Sequence, residues 1–139
     1  MRLVIDANIA VKWHIQQEGS EAARALGGPE SRLIAPEFIL AELASALRKY
    51  VKSGEVAADA AEAILQKSPL AFEALFPLEP LTIRAFKLAI AINHPIYDCY
   101  YLALAEREAA ALVTADLKLA KAARDLPGVE VRTLGAERL

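Results

Sequence analysis

The sequence has 139 residues, 55% of them hydrophobic and 24% charged, with a formal net charge of -2. That composition excludes a disordered chain, carries no footprint of a general nucleic-acid binder, and fits one domain spanning 1–139. A single cysteine, Cys99, and only two histidines, His14 and His94, exclude a disulfide framework and argue against a structural zinc site.

In chain order, Leu3-Val4-Ile5 is a short apolar run ending in Asp6, which predicts a buried parallel strand. Arg32 to Ala35 is a second such run, stopped by Pro36. Leu40, Leu43, Ala44, Leu47 and Val51 recur at helical spacing, predicting a helix over 37–53 with Gly54 past its end. Val56 to Lys67 is Ala-rich and reads as helix. Phe76 to Leu81 is expected as a short strand, at a sheet edge because of its two prolines. Helices are expected over 82–93 and 96–109, a strand over 111–114, a helix over 117–126 and a last strand over 129–131. Alternating strands and helices with short connections predict an α/β fold with a mostly parallel central sheet flanked by helices. The longest run without a charged residue is Leu88 to Tyr97, ten residues, where a membrane span needs about twenty. No secretory segment precedes Asp6, so the expectation is a cytoplasmic protein.

The acids carry the chemistry. Asp6 ends the first strand, and Asp116 follows the 111–114 strand by two residues. In open parallel sheets ligands bind beyond the carboxyl ends of strands, so the two carboxylates converge if their strands are neighbours. Either could instead cap the helix that follows it. Asp98 and Glu42 each sit in an otherwise apolar helical stretch, where a buried carboxylate needs a cation, a proton or strong donors. No lysine or arginine lies within a helical turn or two of Asp98 on its side. Four acids without clustered basic partners suggest a hard divalent cation, Mg²⁺ or Mn²⁺, and phosphoryl hydrolysis.

At these residues the chain resembles the PIN domains, and among them the VapC-type toxins of prokaryotic toxin–antitoxin pairs. The matching stretches are Leu3-Val-Ile-Asp6-Ala-Asn8 with Val11-Lys-Trp13, Pro36 with Glu42-Leu-Ala-Ser-Ala-Leu47, Tyr97-Asp98-Cys-Tyr-Tyr-Leu-Ala-Leu-Ala105, and Leu112-Val-Thr114-Ala-Asp116 with Leu119-Ala120. The resemblance implies a three-layer PIN-like fold with a parallel sheet between helices. It implies an Mg²⁺- or Mn²⁺-dependent endoribonuclease acting on RNA and inhibited by a VapB-like antitoxin. Asp6, Glu42, Asp98 and Asp116 fall on the family's catalytic, metal-binding quartet, and Asn8 and Thr114 on supporting polar positions. The family often has Asn where Ser45 stands, and some members carry another acid where Leu117 and Lys118 follow. The resemblance and the apolar helices over 57–75 and 39–50 lead to the expectation of a homodimer.

Lys118, Lys121 and Arg124 recur at three-residue spacing and could guide an RNA backbone, or form a solvated helix face. Arg48, Lys49 and Lys52 are accounted for by a helix C-terminus. Trp13, Tyr97, Tyr100 and Tyr101 could stack bases, with core or dimer packing favoured. His14 and His94 sit in no acid-rich motif and are not read as catalysts. Two rival readings stand beside the nuclease: a PIN-like scaffold that only binds a partner, and a phospho-receiver-like Mg²⁺ domain. An acidic pocket would also receive a partner's arginine, the route expected for antitoxin inhibition.

Overall fold

The computed structural model describes residues 1–134, so the end of the expected span 1–139 lies outside it. Within them five parallel strands form one sheet: β1 (Arg2–Ile5), β2 (Arg32–Pro36), β3 (Ala74–Phe76), β4 (Ala111–Thr114) and β5 (Val131–Thr133), in the order β3-β2-β1-β4-β5. Seven α-helices flank it: α1 (Ala7–His14), α2 (Ser20–Ala25), α3 (Ile39–Lys52), α4 (Ala58–Lys67), α5 (Glu79–Ile92), α6 (Ile96–Glu108) and α7 (Leu117–Ala123). The expected mostly parallel sheet is parallel throughout.

The three inner strands are apolar over 3–5, 33–35 and 111–113 because both faces are covered there. Val4, Ile34 and Leu112 point into one core with Leu43 and Leu47 of α3 and Leu102 and Leu104 of α6. Leu3, Ile5, Leu33 and Val113, one residue out of step, point into a second core with Ile9 of α1 and Ala23 of α2. Burying each of the leucines, isoleucines and valines among them stabilises the fold by about 1.5–3 kcal/mol.

Two strands lie beside their expected positions. The segment expected as a strand over 76–81 holds only the end of β3, because Pro80 sits in the first turn of α5, where its fixed φ and missing N–H are tolerated. The last strand runs 131–133 rather than 129–131, placed by Val131 pairing with Leu112. α7 stops at Ala123, short of Leu126. The exposed apolar surface also lies elsewhere than expected. Ile39, Leu43 and Leu47 of α3 are buried in the core, and Leu70 is the one large exposed apolar residue within 57–75. The main exposed stripe is Ile83, Phe86 and Ile90, on one face of α5. No helix among the described residues is long and apolar enough to cross a membrane.

Candidate active site

The strand order reverses between β1 and β4, since β1 leads outward to β2 and β3 on one side while β4 and β5 lie on the other. Such a switch point opens a crevice at the carboxyl ends of the strands. Ile5 pairs with Val113 in register, so the next residues on the two strands are Asp6 and Thr114. The Thr114 hydroxyl donates to Asp6 Oδ2 at 2.8 Å and accepts from the Asp116 N–H at 3.0 Å. Asn8 Nδ2 donates to Asp6 Oδ2 at 3.3 Å, and Asn8 Oδ1 accepts from the Ala115 N–H at 3.1 Å. Asp6 stands at the N-cap position of α1 but its side chain makes no capping bond there. The capping alternative therefore fails for Asp6, whose carboxylate is held across the switch point instead. For Asp116 it holds: Oδ1 accepts from the N–H groups of Lys118 at 2.9 Å and Leu119 at 3.3 Å at the start of α7.

Glu42 comes from the first turn of α3 and Asp98 from the first turn of α6. The buried Tyr101 hydroxyl donates to Glu42 Oε1 at 2.6 Å. His94 Nε2 lies 2.7 Å from Asp98 Oδ2. The donors that the sequence lacked around these acids are thus a phenol and an imidazole rather than lysine or arginine. His94 is the residue that sequence reasoning passed over. Asn93 takes a left-handed conformation, φ 51°, at the end of α5, and the chain turns so that His94 meets Asp98 one helical turn on. The i, i+4 spacing was the available signal.

The four acids share one pattern. Each has one oxygen fastened by the protein: Oδ2 of Asp6, Oε1 of Glu42, Oδ2 of Asp98 and Oδ1 of Asp116. The second oxygen of each makes no hydrogen bond among the described residues. Among the described residues no buried side-chain oxygen lacks a partner, so these second oxygens open to solvent. Asp6, Glu42, Asp98 and Asp116 all line one cleft of about 730 Å³. No lysine or arginine is ion-paired with any of them among the described residues. Burial, with Asp98 and Glu42 nearby, raises the Asp6 carboxyl from 3.8 to about 6, against the pull of the Thr114 bond. Burial also raises Glu42, opposed by Tyr101 and reinforced by Asp98. Burial and the Glu42 and Asp6 charges hold the Tyr101 phenol far above its usual value, so it remains an O–H donor. Lys118 and Lys121 are exposed on α7 and do not line the cleft.

Hard carboxylate oxygens without a counter-charge are the donor type that Mg²⁺ and Mn²⁺ take. Among the described residues no three His, Cys, Asp or Glu side chains are grouped closely enough to hold one ion together. The set that fits is therefore one or two carboxylates with water completing the shell, the usual manner of Mg²⁺.

A family model described as PIN domain matches residues 3–125. The chain belongs to the PIN-domain family. This PIN domain is 29% identical over 123 residues to ribonuclease VapC3 of Pyrobaculum aerophilum, covering 87% of this chain and 94% of that protein. It is 36% identical over 93 residues to ribonuclease VapC1 of Mycobacterium tuberculosis, covering 67% of this chain and 69% of that protein. Its fold is similar to a chain in the crystal structure of VapBC2 from Rickettsia felis bound to a DNA fragment from their promoter. There the TM-score is 0.68 at 17% identity, over 96% of this chain and 98% of that one.

Proposed function

We propose that this PIN domain is a divalent-metal-dependent endoribonuclease, the toxin of a toxin–antitoxin pair that works in the cytoplasm. The observation that carries the reading is the shared pattern of four acids on one cleft, each with one oxygen anchored and one open. Kinship with VapC ribonucleases supplies the substrate class. Bound Mg²⁺ or Mn²⁺ would neutralise charge on the phosphodiester and make water easier to deprotonate.

The chain's own groups have distinct tasks on this reading. Asp6, Asp98 and Asp116 offer open oxygens whose directions are set by Thr114 and Asn8, by His94, and by the α7 N-terminus. Glu42, with its raised pKa, accepts the proton of the attacking water at Oε2 while Tyr101 holds Oε1. The water oxygen bonds to phosphorus, and the ribose oxygen on the far side departs and takes up a proton.

The partner on this reading is a VapB-like antitoxin. An arginine from it would pair with two of the open oxygens and displace the metal. The proposal includes homodimerisation, with the Ile83, Phe86 and Ile90 stripe of α5 as surface that a second copy would cover. The phospho-receiver alternative would need paired acids after the first strand and a second aspartate ending a later strand of the sheet; Asp6 stands alone after β1, and Asp59 is exposed on α4.

The deciding experiment incubates the purified chain with single-stranded RNA and Mn²⁺ or Mg²⁺. Cleavage that is lost in EDTA, and lost in Asp6→Asn and Asp98→Asn proteins that remain folded, is expected. Cleavage undiminished in a folded Asp6→Asn/Asp98→Asn double variant would remove these acids from the chemistry, and absence of any cleavage would leave the partner-binding scaffold.

A further inference from the structure

The cleft is longer than its acidic floor. One face of α3 lines it for nearly the whole helix and its end, through Glu42, Ala46, Lys49, Tyr50 and Ser53. These positions are spaced at four, seven, eight and eleven residues from Glu42, one stripe of a helix. Across from it, α1 contributes Asn8, Val11 and Lys12, again one face. Ala46, between Glu42 and Lys49, leaves the groove open along that path.

Among the described residues, Lys12 and Lys49 are the two basic residues that line the cleft, one on each wall. Neither has a carboxylate within ion-pair distance among the described residues. Lys12 Nζ donates to the Glu18 carbonyl at 2.7 Å, which fixes the ammonium and leaves two of its three N–H donors. Lys49 is exposed and two turns along α3 from Glu42, about 10 Å on the helical rise. The dipole of α3 accounts for a cation near its end but not for its facing this groove. A phosphate at the acidic floor meets repulsion, whereas a phosphate farther along the groove meets these two lysines, with Glu55, held by the Ser53 hydroxyl at 2.7 Å, the one acid at that end among the described residues.

We propose that Lys12 and Lys49 form a phosphate-binding subsite for the RNA strand flanking the scissile bond. The strand then runs between α1 and α3, and not over the Lys118 and Lys121 surface of α7. The inference rests on the ribonuclease reading for its ligand, and its test is a binding measurement that does not need turnover.

The probe is a fluorescein-labelled single-stranded RNA, titrated with the full chain in EDTA across a salt series and read by anisotropy. Lys12→Ala and Lys49→Ala should each weaken binding about tenfold at low salt. Each should also reduce the slope of log K against log salt by about 0.7, one phosphate contact on a single strand. The Lys12→Ala/Lys49→Ala double variant should lose about twice that slope, and Lys49→Arg should restore the wild-type slope. With metal present, the KM for RNA should rise in the same variants. Unchanged affinity and slope in both alanine variants, or a larger loss in Lys118→Ala and Lys121→Ala, would overturn the subsite. So would a wild-type chain that binds no RNA. Failure of the nuclease reading looks different: RNA is bound with this lysine dependence, yet never cut with Mn²⁺.

Discussion

The Tyr101 hydroxyl donates to Glu42 Oε1 at 2.6 Å, joining α6 to α3 across 59 positions of sequence. Tyr101 is fully buried, with its ring 5.3 Å from that of Phe38. Tyr101→Phe keeps the ring and removes only the donor, leaving a half-buried carboxylate with one fewer partner. Stability should fall by about 1–3 kcal/mol, the range for a buried acceptor losing its bond. Urea denaturation of the metal-free protein at pH 7.5 measures this, and an unchanged midpoint would mean the bond contributes nothing.

Asp6 gives the stability a pH dependence of predictable sign. Its folded value of about 6 lies above the ordinary 3.8, so between those values the folded chain holds a proton that the unfolded chain has released. The Asp6 contribution to stability therefore falls as pH rises from about 4 to about 6 and is level above, a loss of about 3 kcal/mol, opposed by His14 and Glu106, whose values are lowered in the fold. The upward shift of Glu42 adds to the same slope. Asp6→Asn should flatten the profile and raise the metal-free Tm at pH 7–8. Scans in EDTA from pH 4 to 8 for both proteins provide the check; a Tm difference between Asp6→Asn and wild type that does not grow over pH 4–6 would contradict it. Mn²⁺ at pH 7.5 should then raise the wild-type Tm more than that of Asp6→Asn.

His94 should act on Asp98 by position. His94→Ala frees Asp98 Oδ2 and should lower activity 10–100-fold, the usual effect of losing a residue that orients a ligand. Gln, whose amide nitrogen reaches the place of Nε2, should recover a substantial part of the loss. Mn²⁺ titration of activity separates this from a folding defect, because the alanine variant should need more metal at an unchanged urea midpoint. Equal losses in the Gln and Ala variants would count against a positioning role.

The parts of this fold that could be read in advance are those where local sequence and burial agree. The centres of β1, β2 and β4 are apolar because both faces are covered, and the α3 stripe of Leu43 and Leu47 points where its periodicity says. The acids beyond β1 and β4 were legible as strand-end residues; that they meet depends on those strands being neighbours, which the topology supplies. β3 and β5 were misplaced because three-residue edge strands are set by the partner they pair with. His94 and Lys49 were passed over for another reason. Each was judged by its neighbours in sequence, acid-poor for one and basic for the other, whereas helix-face geometry brings His94 to Asp98 and Lys49 into the cleft.

The α5 stripe makes a prediction about assembly. Ile83 and Ile90 are each 69% exposed and Phe86 58% exposed. Sedimentation of the wild-type chain at micromolar concentration should give a species near twice 15.0 kDa. Phe86→Glu should shift it to the monomer with the fold intact, since the residue contributes to no buried core. A monomeric wild-type chain, or a dimer indifferent to Phe86→Glu, would assign the stripe to something other than self-association.

The meeting of Asp6 with Thr114 across 108 positions has a consequence for synthesis. A nascent chain that has exposed β1, β2, α3 and α6 still lacks β4. In it β1 has β2 as a neighbour on one side only, and the Asp6 carboxylate lacks its shortest bond, from Thr114, keeping only the longer one from Asn8. Glu42 and Asp98 can take their places, yet the floor of the cleft stays incomplete until the segment carrying Thr114 and Asp116 has left the ribosome. Were the first acids and the last on adjacent hairpins, a half-made chain could already assemble them. Here the order of strands delays that assembly, and on the ribonuclease reading the message being translated is spared its own product until nearly all of this domain has been made.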